Sequence, residues 1–205
     1  MNMFSALAVV CYTVVMIKAV IFDCFGVFTE DGWLAFMGKY SNDDNYEELR
    51  YANQAADKGL ISYKELLDTI CRVTNVDRDE VHTIITTSHH PNVLLFEYAK
   101  KLKAAGYTLG MISNVGSPLT DFLPKEYVDL FDAVTLSFQV GVIKPDPAIY
   151  EACLDSLQLN PEQTVFIDDR EANVSGAKAI GMESLLYKDV AALSGELELL
   201  GVHVA

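Results

Sequence analysis

Met16-Ile17-Lys18-Ala19-Val20-Ile21-Phe22-Asp23-Cys24-Phe25-Gly26-Val27 is the stretch that decides the fold. Ala19, Val20, Ile21 and Phe22 form an unbroken apolar run, as expected of a strand buried on both faces of a parallel sheet. The run stops at an aspartate, and Gly26 permits a tight turn just beyond it. Three later stretches also end an apolar run in polar groups: Gly110-Met111-Ile112-Ser113-Asn114, Val142-Ile143-Lys144-Pro145 and Phe166-Ile167-Asp168-Asp169. Further strands are therefore expected over 107–112, 133–138 and 164–167. Helical patterns over 92–105, 147–157 and 172–180 separate them, and Gly106 and Gly181 stand where C-caps are expected. Strands alternating with helices imply right-handed crossovers and an α/β fold with a doubly wound parallel sheet. Such sheets bind ligands at the carboxyl ends of their strands, where all four polar motifs are expected.

One interval breaks the alternation. Residues 29–90 contain no comparable buried strand, but helical patterns run over 47–58 and 63–74 with Gly59 between them. A third helix is expected over 79–87, although Ile84, Ile85, Thr86 and Thr87 are β-branched and weaken the pattern. The expected organisation is an α/β core made of 16–28 and 91–205, with 29–90 inserted as a small helical cap. His89, His90 and Pro91 lead the chain back to the core, and loop histidines without nearby partners are ordinarily just solvated.

The chain has 205 residues, 51% of them hydrophobic, which suits a globular protein with one sizeable core and a smaller module. Its formal net charge of -14 repels phosphate backbones, so nucleic acid is not an expected partner. The four cysteines, Cys11, Cys24, Cys71 and Cys153, fit neither a zinc knuckle nor a disulfide scaffold. They read as free thiols in a reducing, cytoplasmic setting. Cys24 lies between Asp23 and Phe25 at a strand end, so its side chain should face away from that of Asp23. Residues 1–15 read as an apolar N-terminal extension upstream of a functional start at Met16. They lack the basic start of a signal peptide and fall short of the roughly 20 apolar residues of a membrane span. No membrane partner is expected, and oligomeric state has no sequence signal here.

The four motifs, in this order, resemble those of the haloacid dehalogenase-like hydrolase (HAD) superfamily, and the resemblance covers nearly all the chain from about Met16. It implies a Rossmann-like core whose cap closes over the catalytic face. The stretch 93–189 is similar to bacterial α-glucose-1-phosphate phosphatases. The implied activity is Mg²⁺-dependent hydrolysis of a small phosphomonoester, such as a sugar phosphate, through an aspartyl-phosphate intermediate. Asp23 matches the nucleophile, and Ser113 and Lys144 match the catalytic residues of the second and third motifs. Ser113, Asn114 and Lys144 are the implied substrate-binding groups. Asp23, the backbone carbonyl of Phe25, Asp168 and Asp169 are the implied Mg²⁺ ligands.

Elementary chemistry agrees with that assignment. Adjacent carboxylates beside a third repel one another unless a cation is present, and hard oxygen ligands suit Mg²⁺. An ammonium at Lys144 offsets part of the repulsion. Taken singly, each residue has a plainer explanation: a strand-ending aspartate, a helix-capping serine, a solvated lysine or a turn of two acids. Their joint occurrence is what favours chemistry. Phe25 departs from the family pattern, because most of its phosphatases carry a second aspartate there to protonate the leaving oxygen, and phenylalanine transfers no proton. Phe25-Gly26 resembles the tyrosine-glycine of the haloacid dehalogenases, so a 2-haloacid dehalogenase is the alternative, with Arg50 or Arg72 as halide receptor. Loss of the second acid also leaves room for a catalytically weak binding protein on the same scaffold.

Overall fold

The computed structural model describes residues 16–87 and 90–204. The expectations for 1–15, for Cys11 and for His89 lie outside those residues. Five parallel strands form one sheet: β1 (Ala19–Phe22), β2 (Thr108–Ser113), β3 (Ala133–Leu136), β4 (Thr164–Asp168) and β5 (Glu183–Leu186), in the order β3-β2-β1-β4-β5. β1 lies in the middle, with Phe22 in register with Met111 on one side and Ile167 on the other. The ends of β1, β2 and β4 therefore fall level along one rim, which brings residues distant in sequence together.

Period-two alternation along β1 feeds two apolar clusters. Val20, Phe22 and Cys24 pack with Leu95, Phe96 and Leu102 of α5 (Val93–Ala104) and with Leu193 and Leu197 of α10 (Val190–Leu199). Ile21 joins Ile149, Tyr150 and Cys153 of α8 (Pro147–Leu157) and Ala177 of α9 (Glu171–Ala179). Helices thus cover both faces, as a parallel sheet requires. Cys24 belongs to the first cluster and is fully buried there.

The strand expected over 133–138 stops at Leu136, and Ser137–Val140 forms a short helix, α7. The Ser137 hydroxyl donates to the Val115 carbonyl and accepts from its N–H, in place of a sheet ladder. Gly141, at φ 84, ends that turn. Lys144 consequently lies in a loop beyond α7, not directly at a strand end. β5 and α10 were not expected from the pattern: β5 is an edge strand whose burial is incomplete and whose first residues, Glu183 and Ser184, are polar. A four-residue helix, α6 (Lys125–Val128), sits between β2 and β3.

Between β1 and α5 come α1 (Gly32–Tyr40), α2 (Tyr46–Asp57), α3 (Tyr63–Thr74) and α4 (Arg78–Thr87). They share their own apolar cluster, centred on Phe36, Leu49, Ile70, Val81 and Ile85. Burial of Val81 and Ile85 in that cluster outweighs the low helix propensity of α4. The α1 helix escaped the sequence pattern, yet Asp31 caps it by accepting from Trp33 N (3.0 Å) and Leu34 N (3.2 Å). The chain leaves and re-enters the core at adjacent points: Asn92 N donates to Phe28 O (2.7 Å), and Thr29 pairs with Pro91 in an antiparallel bridge. Among the described residues no helix is long and apolar enough to cross a membrane.

Candidate active site

Asp23 is the first residue beyond β1. Its backbone N donates to Ile167 O (2.8 Å), continuing the ladder, and its Oδ1 accepts from Cys24 N (2.6 Å). The Lys144 ammonium stands 2.6 Å from the same Oδ1 and 2.8 Å from Asp168 Oδ2, and also donates to Ile112 O at 3.0 Å. Asn114 fixes the lysine from below: its Oδ1 accepts from Lys144 N (2.8 Å) and its Nδ2 donates to Lys144 O (3.2 Å). The second and third motifs are therefore locked together by one side-chain amide.

Asp168 is fully buried and fully bonded. Besides Lys144 it accepts from Arg170 N (2.9 Å), and Asn173 Nδ2 lies 3.0 Å from each of its oxygens. Asp169 differs: its Oδ1 is buried and has no hydrogen-bond partner among the described residues. Gly26 makes room for it, because at φ +85 a Cβ there would collide with the Asp169 carboxylate. The Ser113 hydroxyl, at the end of β2, is likewise buried without a partner. Burial leaves such groups costly unless something answers them.

The electrostatics follow from these contacts. Burial pushes Asp23 up to about 7, with the Asp168 charge adding to the rise and Lys144 and the Cys24 N–H opposing it. Burial alone would lower the Lys144 ammonium, but the Asp23 and Asp168 carboxylates prevail and hold it above its ordinary range. Asp169 is raised by burial and then by Asp168. Candidate ligand oxygens of Asp23, Asp168 and Asp169 lie within 4.8 Å of one another. Three carboxylates facing one ammonium leave excess negative charge. With the orphaned Asp169 oxygen, that donor set fits a hard divalent cation.

Above this floor lies a cavity of about 340 Å³, lined from the core by Asp23, Asn114 and Lys144 and from the helices by Trp33, Tyr46, Asn53 and Asp57. The Phe25 ring borders it and meets Phe122 edge-on, with centroids 5.4 Å apart. Arg50 also lines the cavity but is tied to Glu47 at 2.7 Å. Arg72 does not line it and pairs with Glu48 at 2.6 Å. His90 is exposed beside Glu30 and stands apart from the three-carboxylate cluster. The sequence pattern gave no role to the Asn173 clamp on Asp168, to the Asp31–Arg170 pair (3.3 Å) or to Asp57. Only Asp31 carries a local signal, as an aspartate just before a helix.

Comparison with known proteins agrees with this architecture. A family profile described as haloacid dehalogenase-like hydrolase matches residues 17–181. Rat bifunctional epoxide hydrolase 2 is 31% identical over 160 residues, covering 69% of this chain, and the match spans only 29% of that protein's length. The sesquiterpene phosphatase astK of Aspergillus oryzae is 28% identical over 181 residues, covering 87% of this chain and 83% of its own. Among solved structures, a HAD family enzyme from Bacteroides thetaiotaomicron superposes with a TM-score of 0.74 at 20% identity, covering 87% of this chain and 98% of that one. Because the profile match runs from the first strand past the fourth motif, the chain belongs to the haloacid dehalogenase-like hydrolases.

Proposed function

We propose that the protein is a Mg²⁺-dependent phosphatase of a small phosphomonoester, with sugar phosphates among the candidate substrates. The observation that carries this reading is the cavity floor, where Asp23 opens to the cavity beside one buried ammonium and two further carboxylates. Asp23 is the nucleophile: its carboxylate attacks phosphorus, the ester oxygen leaves, and water then cleaves the aspartyl phosphate. Lys144 and the Ser113 hydroxyl hold the phosphoryl oxygens, and Asn114 keeps Lys144 in place. Asp23, Asp168, Asp169 and the Phe25 carbonyl are the residues that would hold Mg²⁺. The bound cation neutralises charge that one lysine leaves uncompensated. The names of the Aspergillus relative and of a Bacteroides HAD enzyme solved as a magnesium complex support the same reading. The helices over 32–87 act as the cap and choose the substrate.

Phosphate release from a panel of phosphomonoesters, with Mg²⁺ and after exhaustive chelation, tests this reading. Activity is expected with metal, with a loss of at least about a hundredfold in chelator. Full activity in chelator would remove the metal role of Asp168 and Asp169. Arg50 in the cavity favours the dehalogenase as second reading, and chelator-resistant release of halide from a 2-haloacid in the same panel would select it.

A further inference from the structure

Phe25 leaves the leaving-group oxygen without an acid on the core side. The cavity wall offers another carboxyl. Asp57 is the last residue of α2, and that helix end is pressed onto the core. A Cβ on Gly116, in the loop just after Asn114, would lie 3.0 Å from the Cβ of Ala56. Gly59, at φ +68, faces the Phe138 carbonyl closely enough that a side chain there would clash. Asp57 is therefore held between two close contacts with the core and lines the same cavity as Asp23.

The two cap carboxyls of this cavity have different surroundings. Asp31 is engaged structurally: it caps α1 and pairs with Arg170. Asp57 accepts one side-chain bond, from Asn53 Nδ2 at 3.0 Å. Burial pushes Asp57 up to about 7, the Asp31 charge adds to that, and Arg170 and Asn53 oppose it. The other charged or titratable groups facing the cavity are Asp23, Tyr46, Arg50, Tyr63 and Lys144. A carboxyl that burial raises toward neutrality, open to a substrate cavity, is suited to acid–base work.

We propose that Asp57 is the acid that protonates the leaving oxygen, a role the core cannot fill with Phe25; the assignment rests on the phosphatase reading. As the Asp23 carboxylate forms its bond to phosphorus, the ester P–O bond breaks and the Asp57 proton passes to the departing oxygen, which leaves as an alcohol. The Asp57 carboxylate then takes a proton from the water that attacks the aspartyl phosphate. Phosphate departs, and the Asp23 carboxylate and Asp57 acid are restored.

The test compares an alkyl ester, β-glycerophosphate, with an activated aryl ester, p-nitrophenyl phosphate, in single turnovers with excess enzyme and saturating Mg²⁺. Asp57→Asn is expected to slow alcohol release from the alkyl ester by about a hundredfold or more and nitrophenol release by less than about threefold, because nitrophenolate needs no proton. With saturating Mg²⁺, which would hold Asp23 ionised, the wild-type alkyl rate should fall as pH rises through about 7, the direction set by loss of the Asp57 proton, and the variant should lack that limb. Asp57→Glu should recover part of the alkyl rate. Equal loss on both esters, or no loss on either, overturns the assignment of Asp57 alone. A folded wild type that releases phosphate from no ester overturns the phosphatase reading and this assignment with it. Asp57→Ser, read in the same way, decides the matter if the asparagine variant does not fold.

Discussion

Asp57 ties the chemistry of the site to the stability of the fold. Its ordinary pKa of 3.8 is raised to about 7 by burial and by Asp31. Below about 3 it is neutral in both folded and unfolded chains and costs nothing. Between there and about 7 the unfolded chain loses the proton while the folded chain keeps it, so this group subtracts stability as pH rises. Above about 7 the loss is complete. Asp57→Asn removes the effect, so the variant should gain stability relative to wild type on going from pH 4 to pH 8, by up to about 4 kcal/mol, the limit set by a rise from 3.8 to about 7. Urea unfolding of both proteins at the two pH values measures it, and a variant-to-wild-type difference that does not change with pH would contradict the raised state of Asp57. Asp168 shows the opposite treatment of a buried carboxyl. Lys144, Asn173 and the Arg170 N–H answer both of its oxygens, whereas Asp169 keeps one oxygen without a partner among the described residues.

At the scale of elements, legibility in the sequence follows burial. β1, β2 and β4 are covered on both faces, so each reads as an uninterrupted apolar run. β5 pairs on one side only and begins with Glu183 and Ser184, and nothing in its pattern separates it from a loop. The third motif was legible as Lys144-Pro145, but its distance from the strand end was not. A serine that bonds to the loop after β2 turns the chain early at Ser137, and such a contact is invisible until the fold brings the two together. The same holds for Asp57: Ala56 and Gly116 are far apart in sequence, and only their packing turns a helix-ending aspartate into part of a cavity wall. The helices over 32–87 own a separate apolar cluster and join the core through neighbouring chain segments at Phe28 and Asn92. We expect that replacing 30–90 with a short turn leaves a folded core, shown by circular dichroism and a cooperative thermal transition, that has lost selectivity among phosphomonoesters. Failure of that core to fold would contradict a two-module organisation.

Across the whole molecule, the formal charge of -14 matches a site that gathers acids instead of bases around the phosphate position. One buried lysine among three carboxylates cannot by itself welcome a phosphoryl dianion. That imbalance makes a divalent cation part of the proposed chemistry and makes Asp23 its pivot, as nucleophile and as ligand. The central claim is the covalent one. Mass spectrometry of enzyme acid-quenched within the first turnover of p-nitrophenyl phosphate in Mg²⁺ tests it most directly. One phosphoryl group is expected on the peptide that carries Asp23, and none in Asp23→Asn, whose turnover should fall by at least about a thousandfold. Sustained phosphate release with that peptide unmodified, or by the Asp23→Asn protein at the wild-type rate, would contradict it.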